Sequence, residues 1–279
     1  MKKLLRLAGR QHSVFSRTQA LRYVKEGELK GLVRKGVIER VVWGVYRVAG
    51  SVPTWRQKLT IAVLAAGPGA AVSGRAAGAL WGLPGYREGV VEITQTRRPS
   101  RRFHYGIEHS TTFLPEHHVK IVDGIPVTSI ERTVFDLTGR RSATGAEYLV
   151  RSVLHRKLTT AGKLGVVLAE TGAWGRPGTK RLRHALAKVP DDTQLTESEL
   201  EDLVIAVLRS AGLPLPDRQV EVGGTTAPIG RSDFLYRIAR LVIEADSKRW
   251  HGDNWFVTVA DQRRAKLPLA AGFPVIRTN

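Results

Sequence analysis

Near its C-terminal end the chain places Asp233, then Glu244 eleven positions on, then Asp246, with His251 and Asp261 beyond. Carboxylates are hard oxygen ligands, and side chains alternate along a strand, so Glu244 and Asp246 share one face of an extended segment. Asp233, on an adjoining hairpin strand, can join them. Burying three carboxylates together without a cation is very costly, whereas Mg²⁺ or Mn²⁺ takes such ligands. A cation there would polarise a phosphodiester and lower the pKa of an attacking water, with His251 within a loop's reach as general acid or base. The alternative is a solvated surface hairpin whose acids face water. The apolar run Leu241-Val242-Ile243 argues instead for a strand covered on both faces.

Other chemistries are excluded or unsupported. The 279 residues contain no cysteine, so disulfides, thiolate metal sites and cysteine nucleophiles are ruled out. No GxxxxGK[ST] string or G-x-G-x-x-G fingerprint occurs, which argues against ATP hydrolysis and dinucleotide binding. His104, His109, His117 and His118 lack the helical i,i+4 spacing of a zinc helix. Charge carries more information. The formal net charge is +19, and it is uneven: residues 1–50 hold 12 basic and 3 acidic groups, residues 51–195 hold 21 and 11, and residues 196–279 hold 11 of each. A cationic field over the first two thirds suits a polyanion such as DNA, although it also serves solubility.

These residues need elements to position them. Length and ordinary apolar content predict a multidomain α/β protein with more than one core. Residues 1–50 read as three helices and a two-stranded element. Ser16 is a helix N-cap, Gly36 a helix stop, and Trp43-Gly44 a tight turn between the β-rich runs Val37–Val42 and Val45–Val48. That order predicts a winged helix-turn-helix. Its recognition helix, residues 28–35, would present Lys30, Arg34 and Lys35 to the duplex while Leu29, Leu32 and Val33 pack inward, with Arg40 and Arg47 on the wing. A helix-hairpin domain used for protein contacts is the alternative.

Residues 51–190 are expected to form a middle α/β domain. It has helices over Trp55–Ala66 and Ser73–Trp81, strands over Val90–Thr94, Ile107–His109 and Ile125–Ser129, and helices thereafter. Within it, Arg97, Arg98, Arg101 and Arg102 make a cationic loop able to track phosphates, or equally a solvated hairpin tip. A polar break at 190–194 marks the start of a third domain, 195–279, which opens on a helix holding Glu201 and continues into the acid-bearing strands. The longest apolar stretch is too short to span a bilayer, and Arg6 and Arg10 interrupt the N-terminal run before it makes a secretory signal. A cytoplasmic protein without a membrane partner is expected.

Two resemblances cover nearly the whole chain. Thr196-x-Ser198-x-x-Glu201, Arg231-Ser232-Asp233-Phe234, Glu244-Ala245-Asp246-Ser247-x-x-x-His251-Gly252 and Asp261-x-Arg263-Arg264 together resemble the very-short-patch-repair (Vsr)-like branch of the PD-(D/E)XK endonucleases. The resemblance implies a restriction-endonuclease-like α/β domain. In it Glu201, Asp233, Glu244, Asp246 and His251 would be catalytic, Asp233, Glu244 and Asp246 would hold Mg²⁺ or Mn²⁺, and Asp261 and Arg263 would support them. The position that carries lysine in much of the superfamily is Asp246 here.

Upstream, Val45-Tyr46-Arg47-Val48, Ala71-Val72-Ser73-x-x-Ala76-Ala77-x-x-Leu80-x-Gly82-Leu83 and Pro126-Val127-Thr128-Ser129-x-x-Arg132-Thr133-x-x-Asp136-Leu137 resemble AbiEi-family antitoxin-like proteins. Two functions follow. One is a DNA-binding protein with a metal-dependent endonuclease domain. The other is an antitoxin-like repressor of a type IV toxin-antitoxin operon, partnered by a cognate toxin, whose nuclease-like domain is catalytically inactive.

Overall fold

A computed structural model describes residues 1–96, 105–172, 176–189, 197–224, 227–245 and 274–278. It is mixed α/β with three sheets, and it divides into two compact units, Met1–Val153 and Leu154–Asn279. No described helix is long and apolar enough to cross a membrane. The polar break offered by the sequence at 190–194 lies outside the described residues.

The first unit begins with helix α1 (Lys2–Arg10), strand β1 (Val14–Ser16), helices α2 (Arg17–Ala20) and α3 (Glu26–Arg34), and strands β2 (Ile38–Val42) and β3 (Val45–Val48). The three strands form an antiparallel sheet in the order β1-β3-β2. Apolar residues at helical spacing, Leu4 and Ala8 on α1 and Leu29 and Leu32 on α3, bury against Phe15, Ala20 and Ile38. Ser16 starts α2 through a capping box: its hydroxyl accepts from Gln19 N at 3.1 Å, and Gln19 Oε1 accepts from Ser16 N at 2.8 Å.

Helix α4 (Trp55–Ala66) follows, capped by Thr54, whose hydroxyl accepts from Gln57 N at 3.1 Å. A five-stranded mixed sheet then forms in the order β6-β5-β4-β8-β7 from β4 (Ala71–Val72), β5 (Glu92–Gln95), β6 (Ile107–Ser110), β7 (Val119–Val122) and β8 (Ile125–Thr128). Helices α5 (Gly74–Leu80), α6 (Ile130–Thr138) and α7 (Ala143–His155) accompany it, with Ser129 capping α6. Leu59, Ala62 and Val63 of α4 pack on Val72, Ile93 and Val127, while Ile61 of the same helix meets Val14 and Val45. The N-terminal sheet and the middle sheet thus share one helix.

The second unit contains α8 (Ala161–Thr171), α9 (Pro177–Leu186) and α10 (Glu197–Ser210), with α8 packed along α10. Strands β9 (Asp217–Gly224), β10 (Ala227–Tyr236) and β11 (Leu241–Ala245) form an antiparallel meander. Strand β12 (Val275–Thr278) pairs parallel to β11. Phe234 and Ile243 pack on Val204 and Ile205 of α10, and Leu235 and Val242 form a second cluster with Val220 and Val275.

In the first unit, β7 and β8 are joined by the two-residue turn Asp123-Gly124, with Val122 paired to Ile125. Both turn residues have positive φ, 50° and 75°, as a type I′ hairpin requires. Gly124 also lies against α1, and a Cβ there would sit 2.5 Å from the Arg10 carbonyl oxygen. Gly36 has a similar φ of 68° but open space around it. Gly124→Ala is therefore expected to cost more stability in urea denaturation than Gly36→Ala, which loses only the backbone preference of roughly 1 kcal/mol. Equal losses would show that the Arg10 contact is not made.

Candidate functional site

Three places hold the chemistry. On α3, Leu29 and Leu32 face the core, while Lys30, Arg34 and Lys35 are exposed, the Lys30 side chain to 77%. Val33, expected to pack inward, is exposed, because the buried stripe of this short helix is only as wide as Leu29 and Leu32. Arg40 on β2 is exposed and lies over the Trp43 ring at 5.9 Å. Arg47 differs from these. Its Nε and Nη2 donate to Glu39 at 3.0 and 2.7 Å, and Nη1 reaches Gln57 Oε1 at 3.4 Å, so it fastens β3 to β2 and α4. Arg97, Arg98, Arg101 and Arg102 lie outside the described residues.

The second place was not foreseen as a site. Glu92 on β5 is fully buried. Its Oε1 accepts from His109 Nε2 at 2.6 Å and from Arg140 Nη1, and its Oε2 accepts from the Arg75 backbone N–H at 2.8 Å. The Arg75 guanidinium stands 3.5 Å away. Gly74, at a φ of 54°, lets the chain pass over this carboxylate, which any Cβ would strike. Burial alone pushes the Glu92 carboxyl up. The hydrogen bonds from His109, Arg140 and the Arg75 backbone, with the charge of Arg140, outweigh it and hold the pKa at about 2 rather than 4.5. Glu92 thus anchors two arginines and a histidine whose outer surfaces remain in water. Nearby, buried Arg132 ties α6 together through Asp136 at 3.1 Å and the Phe113 carbonyl at 2.9 Å.

The third place is the sheet of the second unit. Phe234 faces Arg218 on one side and Ile243 on the other, so the neighbouring positions place Gln219, Asp233 and Glu244 in one row across β9, β10 and β11. Arg277 of β12 continues that row by its register with Glu244. Glu201, on the first turns of α10, is almost buried. It accepts from Arg218 Nη2 at 3.0 Å and from Gln219 Nε2, and the same amide lies 3.4 Å from Asp233 Oδ1. The hydrogen bond to Glu201, helped by the charge of Asp202 and opposed by burial, raises the Arg218 pKa above its ordinary value. Of the expected acids, then, Glu201 and Asp233 meet through Gln219, and Glu244 stands opposite Asp233. Asp246, His251, Asp261 and Arg263 lie outside the described residues.

Like charges on facing strand positions are unfavourable unless a cation lies between them. Asp233 and Glu244 are both half-buried and each makes further interactions; as they stand, Glu201, Asp233 and Glu244 do not gather their oxygens closely enough to form a ready divalent-ion site. Gln219, which sequence reasoning did not single out, becomes part of the same group by its position on β9 and its positive φ of 51°.

The Glu92 arrangement has a pH signature. Its folded pKa is depressed, so its stabilisation is complete above about pH 4.5 and is lost as pH falls towards about 2. A depression of this size corresponds to about 3 kcal/mol. Glu92→Gln is expected to be less stable than wild type by about that amount at neutral pH, with the two converging as urea denaturation is repeated down to pH 2. A gap that stays constant with pH would contradict the assignment.

No family model and no curated protein matches the chain, so what it does must be read from its own residues and their arrangement.

Proposed function

We propose that the chain is a DNA-binding protein whose second unit hydrolyses phosphodiester bonds with Mg²⁺ or Mn²⁺. The observation that carries the proposal is the row formed by Asp233 and Glu244 on adjacent strands, with Glu201 joined to Asp233 through Gln219. Asp233 and Glu244 on facing strand positions, with Asp246 two residues on, offer the kind of oxygen donors that a divalent cation takes. Asp233 and Glu244 would hold the ion, with Asp246 completing the ligand set. Bound there, it would polarise the phosphodiester and make an attacking water more acidic. Glu201, kept in place by Arg218, orients Gln219 towards the row, and His251 carries the proton.

DNA binding is assigned to the first unit, as a winged helix-turn-helix in residues 1–50. The order of α1, β1, α2, α3, β2 and β3 supports it, as do the exposed cations Lys30, Arg34, Lys35 and Arg40. The protein would meet its substrate in the cytoplasm.

One observation favours a second reading. Glu201 is already neutralised by Arg218 and hydrogen-bonded by Gln219, a state in which it needs no metal. In that reading the first unit is an operator-binding repressor with a toxin as its partner, and the second is an inactive nuclease-like domain.

Cleavage decides between them. Supercoiled, branched and mismatched DNA would be incubated with Mg²⁺ or Mn²⁺ and wild type, Asp233→Ala or Glu244→Ala protein. We expect wild type to cut and both variants to bind without cutting, with rates lower by at least 10²-fold. Tight binding with no cutting by wild type on any substrate would establish the repressor reading instead.

The binding surface makes its own forecast. Replacing Lys30, Arg34 and Lys35 with alanine is expected to weaken DNA binding and to flatten the plot of log affinity against log salt by about 0.9 for each lost phosphate contact. Arg47→Ala, by contrast, should lower stability and leave the salt slope unchanged, because its donors are held by Glu39 and Gln57. An unchanged slope in the triple variant would move the DNA surface elsewhere.

A further inference from the structure

Glu92 of β5 holds more cationic partners than a buried carboxylate needs. Its Oε1 accepts from His109 Nε2 and Arg140 Nη1, its Oε2 accepts from the Arg75 backbone N–H, and the Arg75 guanidinium stands 3.5 Å away. The charges do not cancel. One carboxylate faces two guanidiniums that are always protonated, so the group keeps a surplus positive charge. Its outer ends reach the surface: the side chains of Arg75, Arg140 and His109 are 51%, 42% and 35% exposed, against 0% for Glu92.

The hydrogen bonds show where the surplus points. Glu92 is ionised at neutral pH, so its 2.6 Å contact with His109 Nε2 requires the hydrogen to be assigned to that nitrogen. Arg140 Nη2 stands 3.0 Å from the same Nε2 and therefore finds no acceptor there. The Nη1 and Nη2 atoms of Arg75 have no protein acceptor among the described residues. Two guanidiniums gathered about one carboxylate thus keep unspent donors.

The sheet adds an independent sign. Strands β4 and β5 pair with Val72 opposite Ile93, which sets Ser73 opposite Glu92, and Ser73 N donates to the Glu92 carbonyl at 2.9 Å. Directly paired residues turn their side chains to one face, so Ser73 shares the face of Glu92. His109, beside Thr94 in the parallel pair of β5 and β6, shares it by alternation. Ser73 is 2% exposed, and its hydroxyl has no hydrogen-bond partner among the described residues. It precedes α5 but, unlike Ser16, Thr54 and Ser129, its hydroxyl caps nothing. A buried hydroxyl left unsatisfied costs free energy unless a polar group reaches it.

These features fit an oxyanion. Donors on three side chains around one point ask for an acceptor with more than two oxygens, and guanidinium forks match phosphate in particular. We propose that Arg75, Arg140 and His109 form a binding site for a phosphate group. Glu92 is a positioning residue that holds the two forks and the ring without touching the ligand. The site does not depend on DNA binding, because a nucleic-acid strand and a free phosphate offer the same oxygens.

The test titrates inorganic phosphate into the full chain by calorimetry at constant ionic strength, with thermal unfolding of each variant measured alongside. Arg75→Ala leaves the backbone bond to Glu92 in place, and Arg140→Lys keeps the charge beside Glu92 while giving up the fork. Both are expected to fold and to bind phosphate at least about tenfold more weakly than wild type, as loss of a charge-assisted hydrogen bond requires. Arg22→Ala, which removes an exposed cation elsewhere in the first unit, should change the affinity by less than about twofold.

No binding by wild type, unchanged affinity in both Arg75→Ala and Arg140→Lys, or equal weakening in Arg22→Ala overturns the site. Two oligonucleotides identical except for a terminal phosphate then identify the source of the group. A loss in Arg75→Ala on both strands assigns the site to backbone phosphates, and a loss on the phosphorylated strand alone assigns it to a strand end. A loss on neither, with inorganic phosphate still bound through Arg75, assigns it to a free phosphate. If wild type binds phosphate through Arg75 but binds no oligonucleotide, the DNA-binding reading fails and the site stands.

Discussion

The first unit is organised by the burial of α4. Leu59 to Val63 are buried in succession, and at 100° per residue five such positions sweep past a full turn, so every side of this stretch of the helix is covered. Ile61 serves the N-terminal sheet, and Leu59, Ala62 and Val63 serve the middle one. The helix also has to satisfy a buried polar group. Gln57 donates to the His12 carbonyl at 3.0 Å and to Ser51 Oγ at 3.2 Å and accepts from Arg47, so the residue that enters the interior carries its hydrogen bonds with it. Because both sheets close on one helix, the cations of α3 and the buried carboxylate of β5 belong to one rigid framework. Removing either sheet would expose an apolar side of α4.

The same framework explains how a chain with so many cations avoids internal repulsion. Its acids are spent singly, each on particular basic partners: Glu92 on Arg75, His109 and Arg140, Glu39 on Arg47, Glu26 on Arg17 and Lys30, and Asp136 on Arg132. The buried members of this set carry the energetics. Glu92 and Arg132 lie in low dielectric, where a missing partner would cost several kcal/mol, roughly 3–5 for an ion pair broken on one side. The exposed pairs hold side chains in place and contribute little, about 0–1 kcal/mol each. Arg34 and Lys35, exposed on α3, are among the described cations that none of these acids engages.

Much of this was legible in the sequence. Helical periodicity and capping located α4 over Trp55–Ala66 and the start of α2 at Ser16, and the β-branched runs around Trp43-Gly44 marked the hairpin. These signals are local. The strand β4 was missed because Ala71–Val72 is two residues long and exists through its neighbours β5 and β8. Strand β7 was missed although Asp123-Gly124 between apolar runs is a strong hairpin signal. Val33 was placed inward because an apolar residue beside a buried stripe looks the same in sequence whether or not a partner reaches it.

The site follows the same division. Asp233 and Glu244 could be aligned from spacing, since register follows from the hairpin. Gln219 could not, because its role depends on an irregular backbone in β9. The Glu92 cluster draws on residues 75, 92, 109 and 140, and no local pattern announces four side chains gathered from four elements.

The uneven distribution of charge then has a physical consequence for the C-terminal part of the second unit, residues 196–279. Residues 196–279 carry equal numbers of acids and bases, so that part of the chain has little long-range attraction for a polyanion. An acidic row such as Asp233 and Glu244 would repel phosphate until a cation is bound. If the first unit holds DNA as proposed, covalent attachment would remove this difficulty, because the second unit would meet phosphodiesters at an effective concentration on the order of millimolar, set by the connection and not by its own affinity. Weak intrinsic attraction in residues 196–279 would then be useful under that proposal, since a segment with no net formal charge would release a cut strand while the basic first unit remained on it.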